Sequence, residues 1–345
     1  MRRKGDDDSM KNFIAVWGST LAMLMALSAP AHAETIVLAV PGPGSLSYLP
    51  VYLAKAIEAD HTEGLELKLR YFAGGPLAMR SLMSHNSDFM AIGLASLAVG
   101  RANGEPVVAI GQLSQSAMYA LMLRSALKDQ VHNIAQLKGR RIGITTGTNT
   151  QRSMGQMMME YLLKRAGVMQ EEVQFVSTIQ NREGQRAALT NATVDAVMGD
   201  EPFASELVAQ GIAVKLADLY QPKQSRDVLG GSIVHAALAT RSDVFEQHPA
   251  TMKKVQRMFD RTLLWLAHHS AQEIVDKLAD QPGFDPANNK LLVDILQRNQ
   301  GMFTEHTAWD AQAVTTTETF FHNMAASPQE TKLSFTEFIR NVPGN

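Results

Sequence analysis

The sequence predicts an α/β protein. Short β-branched apolar runs alternate with longer stretches of helical spacing from about residue 35 to residue 240, the alternation passes through two successive sets, and beyond Arg241 only helical patterns remain. Strands separated by helices in this way form a mostly parallel sheet covered on both faces. Two sets imply two such units, with a helical extension at the C-terminus.

The elements follow in order. Arg2, Arg3, Lys4 and Lys11 precede an apolar run from Phe13 to Ala29, which closes at Pro30 and Ala31-His32-Ala33. A basic start, an apolar middle and a small-x-small end mark a secretory signal peptide over residues 1–33, with Glu34 as the first mature residue. The run is short and broken by Gly18, Ser19 and Thr20, whereas a spanning helix needs about 20 mostly apolar residues; an uncleaved anchor is the alternative. Asp6, Asp7 and Asp8 are unusual in a leader, and translation from Met10 gives a cleaner one.

Thr35 to Val40 reads as a strand ending at the turn run Pro41-Gly42-Pro43-Gly44. Tyr48 to Ala59 is helical, and Leu65 to Phe72 (LELKLRYF) alternates with period two, a half-buried strand. Gly74-Gly75-Pro76 opens a helix to about Ser84. Strand Phe89–Ile92, helix Leu94–Arg101 and strand Val107–Leu113 complete the first set. The second set has strands at Tyr119–Leu123, Arg141–Ile144, Val173–Val176, Ala196–Met198 and Ile212–Leu216. Its helices are Gln151–Ala166, Glu183–Leu189 and Pro202–Gln210. Gly230-Gly231 breaks the pattern before the apolar strand Ile233–Ala239.

Composition narrows function. Residues 34–345 number 312, enough for two domains of ordinary size. Setting aside the four basic and three acidic residues of the leader leaves 28 Lys and Arg against 31 Asp and Glu. A near-neutral chain without a basic block has no footprint for nucleic acid. With no cysteine, a disulfide framework, a thiolate metal site, a cysteine nucleophile and a lipid anchor at the cleavage point are all excluded. An exported, unanchored protein of the periplasm is the expectation.

Four blocks carry a resemblance. They are GSLSYLPVYLAKAIEADHTEGLELKLRYFAGGPLAMRSL from Gly44, NSDFMAIGLAS (Asn86–Ser96), IAQLKGRRIGITTGT (Ile134–Thr148) and VDAVMGDEPFA (Val194–Ala204). Together and in this order they resemble the nitrate/sulfonate/taurine group of ABC-transporter substrate-binding proteins. The resemblance implies a type II periplasmic-binding fold, in which two α/β lobes joined by two crossing strands hold ligand between them. Lobe 1 would be residues 34–116 plus 237–345 and lobe 2 residues 123–229, with crossings at 117–122 and 230–236. It also implies a monomer that captures a small organic or anionic solute (sulfonate, nitrate, taurine-like or heterocyclic), without cofactor or catalysis, and hands it to an ABC permease and its ATPase.

In open parallel sheets ligands sit at the carboxyl ends of strands, which selects four loops. Ser45, Ser47 and Tyr48 follow the first strand, and plain helix capping is their bland reading. Gly74 and Gly75 precede a helix and could bring amides to an anion, or simply serve a turn at positive φ. Ser96 follows the third strand. Thr146, Thr148 and Asn149 combine hydroxyls, exposed amides and the positive end of a long helix, and in relatives the matching stretch lines the cleft. Asp200-Glu201-Pro202 is the sharpest charged feature: Asp200 is the natural cap, and Glu201 the carboxylate that would face the cleft and accept from a ligand N–H or hydroxyl.

Other arrangements carry no chemistry. Gly42-Pro43-Gly44 has Ser47 where a dinucleotide fingerprint needs glycine, and neither HExxH nor HxxEH occurs. His268-His269 suit a helix C-terminus. The methionines at 157–159 are core fillers, no serine stands in a G-x-S-x-G elbow, and Arg80, Arg152 and Arg186 read as solvated surface. Three rival functions share the architecture: an enzyme making a thiamine-precursor pyrimidine, a regulator's effector domain, and a sensor accessory to a membrane kinase. The enzymes of the resembling group use a cysteine-rich iron motif that this chain lacks, and a regulator would need a helix-turn-helix where the leader stands.

Overall fold

The computed structural model describes residues 33–145, 151–179, 181–299 and 301–343. The chain opens with β1 (Glu34–Pro41), a 3-10 turn at Leu46–Tyr48, α1 (Leu49–Ala56), α2 (Ala59–Thr62) and β2 (Leu65–Phe72). Next come α3 (Gly75–Met83), β3 (Phe89–Gly93), α4 (Leu94–Ala102) and β4 (Val107–Gln112). The second set comprises β5 (Tyr119–Arg124), β6 (Arg141–Thr145), α5 (Met154–Arg165), β7 (Gln174–Thr178) and α6 (Arg182–Thr190). It continues with β8 (Ala196–Asp200), α7 (Phe203–Ala209), β9 (Ala213–Asp218) and α8 (Pro222–Leu229). Strand β10 (Ala236–Arg241) is followed by α9 (Ser242–Gln247), α10 (Pro249–His268), α11 (Ala271–Leu278), α12 (Asn289–Arg298), α13 (Ala311–Asn323) and α14 (Pro328–Lys332).

These strands build two five-stranded sheets, ordered β2-β1-β3-β10-β4 and β7-β6-β8-β5-β9. Each is mixed rather than mostly parallel. Strand β10 runs against β3 and β4, and β5 runs against β8 and β9, while β1/β3, β6/β7 and β6/β8 are parallel. The reason lies in the connections. Each of β5 and β10 is the first strand laid down after the chain changes sheet, so each starts at the boundary where its antiparallel neighbours end. The passages between sheets are Leu113–Met118 and Gly230–His235. Residues 119–122 of the first expected crossing lie in β5, and Ala236 of the second begins β10.

Period two along the strands sorts the core. Ile36, Leu38 and Val40 of β1 pack in one cluster with Leu53, Met258 and Phe259, covering the outer face of the first sheet. In β5, Ala120 and Met122 face Leu189, Val194 and Leu207 on the outer face of the second sheet. The alternate residues Tyr119, Leu121 and Leu123 join a cluster with Ile92, Ala109, Met154, Met158 and Phe321. That third cluster draws on both sheets and on α13, so apolar packing is continuous across the lobes. Burial of this kind contributes about 25 cal/mol per Å² of apolar surface.

Two departures from sequence expectation have local causes. Helix α5 begins at Met154 because the Ser153 hydroxyl accepts from the Gln156 amide, which leaves Gln151 and Arg152 in the preceding loop. Residues 222–229, not anticipated as an element, form α8 with Pro222 in its first turn and Gly230 at φ 82° as its C-cap, a Pro-start and Gly-stop pair.

Candidate functional site

The strand ends that meet between the lobes place the candidate residues. Ser45 caps the 3-10 turn, its hydroxyl accepting from the Ser47 amide at 3.3 Å. The same hydroxyl donates to Asp200 Oδ2 at 3.1 Å across the lobe boundary. Capping and cross-lobe contact thus coexist in one side chain. Alongside, the Leu46 amide donates to the Glu201 carbonyl at 2.8 Å. Ser47 Oγ lies 3.0 Å from His235 Nε2, and the Tyr119 ring meets the His235 ring edge-on at 4.9 Å between centroids. Tyr119 and Asp200 are register partners on β5 and β8. Ser45, Ser47, Tyr48, Tyr119, Asp200 and His235 are all buried, none more than 3% exposed.

A second group lies where α3 and α4 face the loop before α5. Gly75 packs toward Ile92 and the Ser96 hydroxyl. Ser96 Oγ donates to the Arg152 carbonyl at 2.8 Å, and Gln151 Nε2 donates to the Ser96 carbonyl at 2.5 Å. Gly74, the α3 N-cap, has φ 172°, which is extended backbone, so positive φ is not the reason for glycine there. At Gly93 the reason is proximity: an added Cβ would stand 2.6 Å from Met154 Cβ of the other lobe. Thr146, Thr148 and Asn149 lie outside the described residues.

The Asp200-Glu201 pair exchanges the roles expected of it. The Glu201 carboxylate accepts from the Ser205 amide and hydroxyl at 3.1 and 2.9 Å, and from Lys215 Nζ at 2.9 Å. It therefore serves the start of α7 and an ion pair inside the second lobe. Asp200 is the carboxylate that reaches the seam. Adjacent residues at a strand end point to opposite sides, so only one of the two could do so. Lys215 is held above its usual pKa, burial opposing but Glu201 and Asp218 prevailing.

Electrostatics leave the seam groups uncharged around one acid. Burial, and then the Asp200 charge, push the Tyr48 phenol well up, so it stays protonated. Burial pushes the His235 imidazole down to about 3, so the ring is neutral. Nearby cations are engaged by carboxylates. Arg152 bridges Glu160 at 3.1 Å and Glu330 at 2.5 Å. Arg182 pairs with Glu206 at 2.6 Å and donates to the Gly283 carbonyl at 3.2 Å. Asn288 also donates to Glu206, at 3.1 Å. Arg152 is thus a part-buried connector between lobes rather than solvated surface, whereas Arg80 and Arg186 are exposed. Sequence reasoning also passed over His235, Gln151 and Arg182. A single histidine inside the apolar run IVHAALA was the available signal for the first.

A groove of about 320 Å³ lined by Pro43, Arg182, Phe203 and Gly283 runs along one edge of the seam. Two other cavities, of about 290 and 650 Å³, open among the C-terminal helices beside Leu266, Asn299 and Phe303 and beside Gln112, Trp309 and Gln312. None of the candidate residues lines them. The seam is the better candidate, because strand ends of both lobes converge there and its side chains close on one another.

The family profile described as NMT1/THI5 like matches residues 47–273. The chain belongs to this family. A relative of this family member is YtlA of Bacillus subtilis (strain 168), designated a binding protein, 25% identical over 287 residues and spanning 81% of this chain and 80% of that one. Among solved structures, a protein of Bordetella bronchiseptica RB50 is similar at TM-score 0.80 and 19% identity, over 89% of this chain and 95% of that one. The alkanesulfonate-binding protein SsuA of Xanthomonas axonopodis pv. citri, bound to MOPS, is similar at TM-score 0.70 and 17% identity, over 90% and 99%. The fold of this family member is that of type II periplasmic binding proteins, two lobes with mixed sheets joined by two connections. Among the described residues, no helix is long and apolar enough to cross a membrane.

Proposed function

We propose that the chain is the solute-capturing component of an ABC importer, exported to the periplasm and working as a single copy. It closes two lobes on a small organic or anionic solute and presents the closed form to a permease and its ATPase. The observation that carries this reading is the polar seam: Ser45 on Asp200 across the lobe boundary and Ser47 on His235 of the second connection, all buried. Groups so placed meet one another when the lobes shut and a solute when they part. Capture needs no reaction, only that solute prefers the closed state, since equal affinity for both shifts nothing. The family's binding proteins support the reading, and the buried Asp200 favours solutes with N–H or O–H donors within that range.

The test is a thermal-shift screen of protein beginning at Glu34 against sulfonates, nitrate, aromatic acids and nitrogen heterocycles. A true solute at 100 times its dissociation constant adds about 2.7 kcal/mol of stability. Asp200→Asn and Ser47→Ala then weaken the hit selectively. Glu201→Gln, which alters a carboxylate whose partners Ser205 and Lys215 lie within lobe 2, lowers stability while sparing affinity. Absence of any hit, or a hit indifferent to Asp200 and Ser47, removes the seam as the site.

A further inference from the structure

We propose that His235 is a positioning residue of the seam: its neutral ring holds the Ser47 turn, from which the Ser45 hydroxyl and Leu46 amide reach Asp200 and Glu201 of the other lobe, and uptake of a proton by the ring lets the lobes part. This rests on the capture reading only in requiring that the lobes part.

The placement is unusual for a histidine. His235 is the last residue of the second connection, immediately before β10. Its amide donates to the Ser114 carbonyl at 3.1 Å, which ties it to the first connection. Its carbonyl accepts from the Leu94 amide at the start of α4 at 3.3 Å. Its backbone thus ties the two passages between the sheets, while its ring lies between Ser47 and Tyr119. Nε2 meets Ser47, while buried Nδ1 has no hydrogen-bond partner among the described residues.

What faces the ring decides which protonation state fits. From β5 it is the edge of Tyr119, an uncharged phenol. From the turn after β1 it is the Ser47 hydroxyl; Ser114 of the first connection meets the backbone instead, its hydroxyl accepting from the Ala236 amide. The N-terminus of α4 meets the His235 backbone instead, its Leu94 amide donating to the carbonyl, and its positive end disfavours a cation nearby. The nearest acid on the seam is Asp200, at the end of β8 and turned to Ser45, and no charge offsets the burial that depresses the ring. An imidazolium here would carry an N–H at Nδ1 with nothing to receive it, in an apolar surround.

The sign follows. In the closed form the imidazole titrates at about 3; with the lobes apart and the ring wetted it returns toward the ordinary value of about 6.5. The open form then binds the extra proton, so closure is favoured fully above about pH 6.5 and progressively less below it. Between pH 7.5 and 5.0 the closed-to-open ratio falls about 30-fold.

The chain has no cysteine, so paired labels can be placed cleanly at Thr62→Cys in lobe 1 and Gln210→Cys in lobe 2, both exposed. Interlobe distance distributions are recorded without solute from pH 8.0 to 5.0 in the parent, His235→Gln and His235→Leu backgrounds. The parent shifts toward longer distances as pH falls. Gln, which keeps a partner for Ser47 and cannot titrate, stays closed at every pH; Leu, which loses that partner, is more open at every pH. In parallel, the His235 ring of the parent, followed by NMR, titrates well below 6.5. A parent distribution that ignores pH, a response shared by His235→Gln, or a ring titrating near 6.5 each overturns the proposal. Lobes that ignore pH leave capture standing, and a failed solute screen leaves the proton linkage standing.

Discussion

Replacing Arg152 tests how the lobes are held. Its guanidinium joins Glu160 of α5 to Glu330 of α14, with side-chain exposures of 16%, 3% and 6%, so one cation serves two buried acids from different lobes. Arg152→Met leaves both carboxylates without it, and removing one partner of a buried pair costs about 3–5 kcal/mol. Unfolding entropy of about 2.1 cal/mol/K per residue over the 312 residues from Glu34 gives about 0.65 kcal/mol/K. The melting temperature should therefore fall by about 5–8 °C. Circular dichroism melts measure this, and because the cluster is buried, raising NaCl from about 0.1 to 1 M should leave the difference intact. Adding Glu160→Gln and Glu330→Gln to Arg152→Met removes the stranded charges and should recover much of the loss. A single variant within about 2 °C of the parent, or a triple variant no better than the single, would refute the account of Arg152 as the keystone of this cluster.

Two further outcomes are expected. Gly44 and Gly283 have φ of +83° and +89°, and a Cβ on Gly44 would stand 2.3 Å from the Gly283 carbonyl oxygen; Gly44→Ala should cost at least about 1–2 kcal/mol for the left-handed backbone alone, read from urea midpoints. Asp195, despite burial that opposes it, is held below the usual carboxylate pKa by hydrogen bonds from the Arg141 side chain and amide and from Arg124. Its contribution is present above about pH 4 and lost as pH falls through the depressed value, so Asp195→Asn is less stable than the parent at pH 7 and the gap closes toward pH 3.

Particular residues show how far the chain could be read without coordinates. LELKLRYF coincides with β2 because alternation over eight residues admits only a strand with one face inward. The leader pattern and the four family blocks also rest on local sequence, as did the helical character of everything after Arg241. Helix α8 escaped because its apolar stripe is thin, Pro222 was not weighed as a helix start and Gly230 was read only as a break.

The seam was harder. Ser45, Ser47 and Tyr48 could be named as candidates because the carboxyl end of a strand is a positional rule that needs no contacts. Asp200 and Glu201 were both visible, but which carboxylate faced the other lobe depended on strand pleat and on Lys215, 14 residues away in sequence and 2.9 Å away in space. Arg152 looked like surface because its acids are 8 and 178 residues distant.

Periodicity, turn residues and the absence of cysteine are properties of neighbours along the chain, and they determined the class of fold, the order of elements and the loops worth watching. Direction of the two boundary strands, the partner of each charge and the burial of His235 arise only when separate segments meet in space, as Ser47 and His235 do across 188 positions. Those features belong to the tertiary structure, because desolvation and pairing act through space and leave no period in the sequence.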